Sequence, residues 1–242
     1  MRRGNKKRLS ILYEDSEILV IDKPAGLLTI PSDPARAAFE DTVLKRVREY
    51  VARPPVRRSL GGGGRPYVGV LHRLDRDTSG ALAIALSHAA HVAGRDLFAA
   101  HQFERHYLAI VHGVPEPHEG TIRAPISSRY VSGRRGVARP GHEARDAITH
   151  YRVLEPFRRA ALVELELETG RQHQIRAHLE HLGHPIVGEQ VYRGDATRTI
   201  KAPRQMLHAW TLAFPHPLRC TAVSVEADPP RDFVDTLEKL RR

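Results

Sequence analysis

The stretch Tyr67-Val68-Gly69-Val70-Leu71-His72-Arg73-Leu74-Asp75-Arg76-Asp77-Thr78-Ser79-Gly80-Ala81-Leu82-Ala83-Ile84-Ala85-Leu86 sets a polar string between two apolar runs. Each run has the length and composition of a strand, and Asp75 to Gly80 is built from turn formers, so the whole reads as strand, turn, strand. Outward from it, Ser87 is placed to cap a helix carrying Val92, Leu97 and Phe98, after which Tyr107 to Val111 returns as a strand. Upstream, Ile11 to Asp22 reads as a strand running into the turn Lys23-Pro24-Ala25-Gly26, and Asp41 to Val51 has Val43, Leu44 and Val47 at helical spacing. Further on, Val163, Leu165 and Leu167 alternate with Glu164, Glu166 and Glu168, the period of a strand with one buried face. That strand stops at Thr169-Gly170-Arg171. A helix with the stripe Ile175, Leu179 and Leu182 follows and ends at Gly183 and Pro185. Ala209 to Phe214 and Thr221 to Val225 read as strands, and Arg231 to Leu240 as a closing helix. Strands and helices mix without a regular βαβ repeat, which predicts an α+β fold with a mixed, mainly antiparallel sheet and flanking helices.

Between Ala52 and Pro66 the chain runs ARPPVRRSLGGGGRP. Paired prolines, four glycines and several arginines predict a flexible basic loop with no packed element. Residues 1–10 read as a basic tail and 11–242 as one domain.

Across the 242 residues, 38 Lys and Arg against 28 Asp and Glu leave a net charge of +10, with arginine much the commoner cation. A polyanion is the partner such a balance favours, because guanidinium groups grip phosphate oxygens and displace counterions. An arginine-rich proteome would give the same balance. No apolar run is long enough to span a bilayer, so no membrane role is expected. The start MRRGNKKRLS lacks the apolar segment of an export signal, and the one cysteine, Cys220, can form neither an internal disulfide nor a thiolate zinc site. These features predict a cytoplasmic protein.

Chemistry concentrates in His72 to Gly80. There Asp75 follows an apolar run and sits among Arg73, Arg76 and the hydroxyls of Thr78 and Ser79, an environment that favours the charged carboxylate. Such a group can serve as nucleophile or base. Residue types alone equally describe a turn whose side chains satisfy loose backbone amides.

The nine residues HRLDRDTSG resemble the HRLDxxTSG signature of the RluA-type family of RNA pseudouridine synthases at every specified position. Other segments of that family recur in order. Lys23-Pro24-Ala25-Gly26 resembles KPxG, Tyr107-Leu108-Ala109 with Gly113 resembles its YxA segment, and Ala147 to Tyr151 resembles AxTxY. Thr169 to His178 resembles TGRxHQIRxH, followed by Gly183 to Glu189 and Leu207-His208-Ala209. The likeness runs from about Leu12 to Phe233.

The resemblance implies that the chain isomerises uridine to pseudouridine in structured RNA, ribosomal or transfer, on a sheet with a central cleft. Asp75 would be the carboxylate that breaks the bond between ribose C1′ and uracil N1, by attack or by removing a ribose proton. Arg176 would pair with it. Tyr107 would pack against the flipped uracil and help remove the C5 proton, and Arg73 would fill the gap left in the RNA. His72, Thr78, Arg171, His173 and Gln174 are expected to meet the RNA beside it. No cofactor or metal is implied, because the isomerisation moves no net electrons and consumes no water, and a monomer is expected. Many relatives carry an S4 domain ahead of the catalytic one; with about ten residues before the first strand, none is expected here. The 52–66 segment and Glu189, where the family usually has Asp, depart from the pattern, and neither is expected to touch the catalytic string.

Read without the family, Arg176 and Glu180 form an i,i+4 surface pair, Tyr107 is a core aromatic, and Arg73 and Arg171 are solvated charges. Two other functions stay open on that basis: a catalytically silent RNA-binding protein, and a metal-dependent nuclease using His173, His178, His181 and His184. The second lacks a pair of histidines sharing a helical face with a carboxylate.

Overall fold

The computed structural model describes residues 9–33, 35, 39–60, 66–130, 134–138, 141–193 and 200–242. The expected α+β fold is present, built on one long, mainly antiparallel sheet. The opening segment is a hairpin rather than one strand. Strand β1 (Ser10–Glu14) pairs antiparallel with β2 (Ile18–Lys23), because Asp15 turns the chain by accepting from the N–H groups of Glu17 and Ile18 at 2.7 Å each. Helix α1 (Val43–Val51) follows, with Thr42 as its N-cap accepting from the Lys45 N–H at 3.1 Å.

The structure corrects two expectations here. Part of the segment read as a flexible loop is a helix, α2 (Pro54–Ser59), and residues 61–65 of that segment lie outside the described residues. The prolines sit in its first turn, where no intrahelical N–H is needed and a fixed φ helps, so they start the element they were taken to forbid. The run Tyr67 to Leu74 contributes only the two-residue strand β3 (Gly69–Val70). Beyond it, Leu74 leaves the sheet because Thr29 Oγ1 donates to its carbonyl at 2.8 Å and accepts from its N–H at 3.2 Å.

Strand β4 (Ser79–Ala85) is buried along its whole length, and Ser87 caps α3 (His88–Ala99) as read, although Val92 faces solvent at 48% exposure. Strands β5 (Glu104–His112), β6 (Glu119–Arg123), β9 (Ile148–Pro156) and β10 (Ala160–Leu167) form the antiparallel half, while β7 (Ile126–Ser127) and β8 (Ala144–Arg145) make a separate pair. In β10, Val163, Leu165 and Leu167 are buried and the glutamates point outward. Helix α4 (Gln174–His181) then returns over the sheet, and β11 (Leu207–Pro215), β12 (Ala222–Glu226) and α5 (Arg231–Arg241) complete the chain.

The strands of the long sheet run β1-β2-β4-β11-β5-β10-β9-β6, with β3 added to β4 and β12 to β11, and among the described residues β4 and β11 are the one pair of named strands that run parallel, with Ser79 opposite His208 and Gly80 opposite Ala209. Gly80 has φ +113°, and a Cβ there would lie 2.1 Å from the Ala209 carbonyl oxygen. Only glycine lets the two strands meet at this point. The string from Asp75 to Gly80 therefore enters the sheet away from its edges, between β2 and β11.

Candidate active site

The turn carrying Asp75 is held from below by the Lys23-Pro24-Ala25-Gly26 segment. The buried Lys23 Nζ donates to the carbonyls of Pro24, Leu27 and Arg76 at 3.0, 2.8 and 2.9 Å, and the Gly26 N–H reaches the Arg76 carbonyl at 2.9 Å. Burial pushes the Lys23 amine down to about 7, partly offset by Asp75 and Asp77. Its three acceptors nonetheless match the three protons of an ammonium, and deprotonation would strand one of them. Thr78 closes the turn from its own N–H to the Asp75 carbonyl at 3.2 Å, while its buried hydroxyl accepts from Gln205 at 2.8 Å.

Asp75 Oδ2 accepts from Arg176 Nη1 at 2.7 Å, joining residues 101 apart in sequence. The pairing expected from the family likeness is the one the structure makes. The i,i+4 alternative is not formed, since Glu180 takes Arg134 Nη1 at 2.6 Å. Arg176 is clamped on its other edge by Glu189, which accepts from Nε at 2.7 Å and Nη2 at 2.8 Å. This corrects the expectation that Glu189 stands apart from the catalytic string, because it orients the guanidinium that holds Asp75. Burial disfavours charge on Arg176, but hydrogen bonding to Glu189 and attraction to Asp75 outweigh it and raise its pKa. Burial likewise works against the Glu189 carboxylate, and Arg176 with the Val191 N–H overcomes it, holding the pKa low. The ring of Tyr192, fully buried, lies 4.9 Å from the Arg176 guanidinium carbon, and its hydroxyl is pushed up to about 12 by burial.

His173 precedes α4 with φ 60°, a left-handed conformation seldom adopted by a side chain of this size. Its Nδ1 meets the Tyr192 hydroxyl at 2.9 Å and its Nε2 stands 3.6 Å from Asp75 Oδ1. Burial lowers its pKa against the pull of Asp75. Tyr107, on β5, is buried and faces the same pocket, and burial raises its phenol pKa against the pull of Arg105, with Asp75 adding to the rise. Arg73 and Arg171 line the rim, and Arg171 Nε is anchored to the Asp146 carbonyl at 2.9 Å. Leu74, Ile175 and Leu207 supply apolar wall.

Two of the residues expected to meet RNA are committed elsewhere. Gln174 lines the pocket, but its oxygen accepts from Thr169 Oγ1 and the Arg171 N–H, and its amide donates to the Ile148 carbonyl and Thr149 Oγ1. It braces the Thr169–Arg171 turn. His72 is absent from the pocket wall. Its ring stacks on Phe98 at 6.1 Å between centroids, and its Nε2 accepts from the Ala83 N–H at 3.1 Å. Burial, with Arg105 nearby, drives its pKa down to about 3.

That shift has a consequence for stability. The folded protein keeps His72 neutral while an unfolded chain protonates it below about 6.5, so the unfolded state binds the extra proton between about 6.5 and about 3 and stability falls with falling pH. At pH 5 the loss from this group is at most about 2 kcal/mol. Urea melts at pH 7.5 and 5 should show it, and His72→Gln, whose amide oxygen can take the Ala83 N–H, should flatten the slope. A variant as acid-sensitive as wild type assigns the loss to other histidines.

A carboxylate bound to a buried guanidinium shares its pocket with a buried tyrosine, and the arginines at the rim give the cleft a mouth that suits an anionic substrate. The profile of the RNA pseudouridylate synthase family matches residues 17–181. The chain is 35% identical over 93% of its length to ribosomal large subunit pseudouridine synthase D of Zymomonas mobilis, and 40% identical over 96% to the synthase D of Xanthomonas campestris, covering 70% of each relative. Among solved structures, human RNA pseudouridylate synthase domain containing 4 superposes with a TM-score of 0.74 at 27% identity, over 96% of this chain and 93% of that one. The chain belongs to the RNA pseudouridylate synthase family and is a pseudouridine synthase.

Among the described residues no helix is long and apolar enough to cross a membrane. Nothing in the sequence pattern assigns a role to Glu189, Tyr192, Lys23 or Thr29. Lys23 and Glu189 stood within family segments and could have been weighed there; Tyr192 and Thr29 left no local signal.

Proposed function

We propose that the chain isomerises a uridine of large-subunit ribosomal RNA, with Asp75 as the group that opens the glycosidic bond. The observation that carries this reading is the 2.7 Å contact of Asp75 Oδ2 with Arg176 at the wall of a pocket shared with Tyr107. The relatives' names supply the RNA class. A flipped uridine placed there meets the Asp75 oxygen not taken by Arg176 at its ribose and the Tyr107 ring at its base. The C1′–N1 bond breaks, the uracil turns, C5 bonds to C1′, and the proton on C5 is lost while N1 gains one. Asp75 serves either by bonding to C1′ or by taking a ribose proton, and both require the same oxygen. Arg176 fixes the carboxylate through its other oxygen, Oδ2, and Glu189 holds Arg176.

Tyr107 acts as a protonated phenol, packing on the uracil and relaying the C5 proton rather than abstracting it as phenolate. Arg73, exposed at the rim, is positioned to enter the gap left by the flipped nucleotide, and Arg171 to meet a phosphate. The catalytic unit spans residues 11–242, acting in the cytoplasm as a monomer without a cofactor.

Mapping pseudouridine in cellular RNA with and without the gene tests the assignment. Loss of one or a few positions in large-subunit ribosomal RNA is expected, restored by the wild-type gene. Loss confined to transfer RNA would overturn the substrate class.

A further inference from the structure

Arg105 lies on β5 two residues before Tyr107 and so points to the same side of the sheet. It is only 5% exposed. One Nη2 proton goes to the Leu167 carbonyl at 3.1 Å, the guanidinium carbon lies 4.8 Å from the Phe98 ring centroid, and Nε has no hydrogen-bond partner. Among the described residues no carboxylate comes within 4.0 Å of it. The other buried guanidinium near the site, Arg176, has two carboxylates. A desolvated cation without a counterion weakens a fold, and an apolar side chain of similar volume would serve the core better.

What covers this charge is Gly170. Its φ is not in the left-handed region, so the backbone conformation does not call for glycine. A Cβ at this position would fall 2.7 Å from Arg105 Nη1 and 3.1 Å from Phe98 Cζ, so a side chain here would press directly on the guanidinium. Gly170 is itself exposed, so main chain alone lies above the guanidinium there. Arg171 follows directly. Arg73 follows His72, whose ring stacks on the same Phe98, and both arginines line the Asp75 pocket.

We propose that Arg105 is a phosphate-binding residue for the RNA strand that delivers its nucleotide to Asp75, the phosphodiester crossing Gly170 between Arg73 and Arg171. The missing counterion is the RNA itself, and the glycine is the position where a backbone phosphate can come close without a side chain holding it off. The proposal rests on the reading of the chain as an RNA-acting synthase.

The test compares wild type with Arg105→Met and Arg105→Lys in thermal melts and in binding to a large-subunit ribosomal RNA fragment over a series of salt concentrations. Arg105→Met should melt no lower than wild type, because it removes an uncompensated charge. It should bind RNA roughly tenfold more weakly, with the slope of log affinity against log salt reduced by about one contact. Arg105→Lys should keep the wild-type slope. A methionine variant that melts lower and keeps the full slope would show that Arg105 only braces the Leu167–Gly170 turn, and the proposal falls. Should the methionine variant fail to fold, Arg105→Gln removes the charge while keeping a donor for Leu167 and is judged by the same slope; if it too fails to fold, the role is structural and the proposal is wrong. Wild-type protein that makes no pseudouridine on any RNA would instead defeat the underlying reading, whatever the slopes.

Discussion

Asp75→Asn should bind RNA within a few fold of wild type and form no detectable pseudouridine. The amide keeps the shape of the carboxylate, and its oxygen can still accept from Arg176 Nη1, which stands 2.7 Å away in the native protein. What it loses is the charge and basicity of the second oxygen, the one facing His173 at 3.6 Å. Neither attack on C1′ nor removal of a ribose proton survives that change. The expected fall in rate is at least about 10⁴-fold, the scale seen when an enzyme loses a nucleophile or essential base. Stability should change by no more than about 2 kcal/mol, because Arg176 retains Glu189 as a partner. Release of hydrogen from C5 of labelled uridine reports turnover, since that hydrogen leaves when C5 bonds to C1′. A variant that still releases label at a tenth of the native rate would remove Asp75 from the chemistry.

How far this site could be read beforehand depends on where its parts lie along the chain. Asp75, Thr78 and Gly80 are contiguous, and their order carries the turn, the carboxylate and the close approach of β4 to β11. Arg176 was legible only because a second contiguous string surrounds it; nothing in α4 alone says that its guanidinium turns to a residue 101 positions away rather than to Glu180. The Glu189 clamp and the Tyr192 ring beneath it come from a segment after α4 that has no periodicity, so only the folded chain brings them to Arg176. The fold shows the same division. Alternation made β10 plain, whereas the parallel meeting of β4 and β11 is a property of the whole sheet. Pro54 and Pro55 misled because a proline breaks a helix interior yet starts a helix at its first turn, and composition does not say which. His72 sits inside the motif but turns inward onto Phe98, since neighbours in a turn face different ways.

Arg176→Ala should abolish turnover and also destabilise the fold, and the two losses can be separated. The side chain of Glu189 is 2% exposed and would be left as a buried carboxylate with only main-chain N–H partners, among them those of Gln190 and Val191. Breaking a buried pair from one side costs about 3–5 kcal/mol, because the remaining charge loses its compensation. Arg176→Lys should recover little, since one ammonium cannot span Asp75 on one edge and both Glu189 oxygens on the other. The double variant Arg176→Met with Glu189→Met removes both buried charges and fills their space with apolar atoms, so urea melts should return much of the lost stability. Activity should not return with it, because Asp75 Oδ2 then has no guanidinium to hold it at the pocket wall. Should the restabilised double variant regain turnover, Arg176 would have acted through folding alone and the positioning of Asp75 would have to come from elsewhere, with His173 the nearest candidate at 3.6 Å.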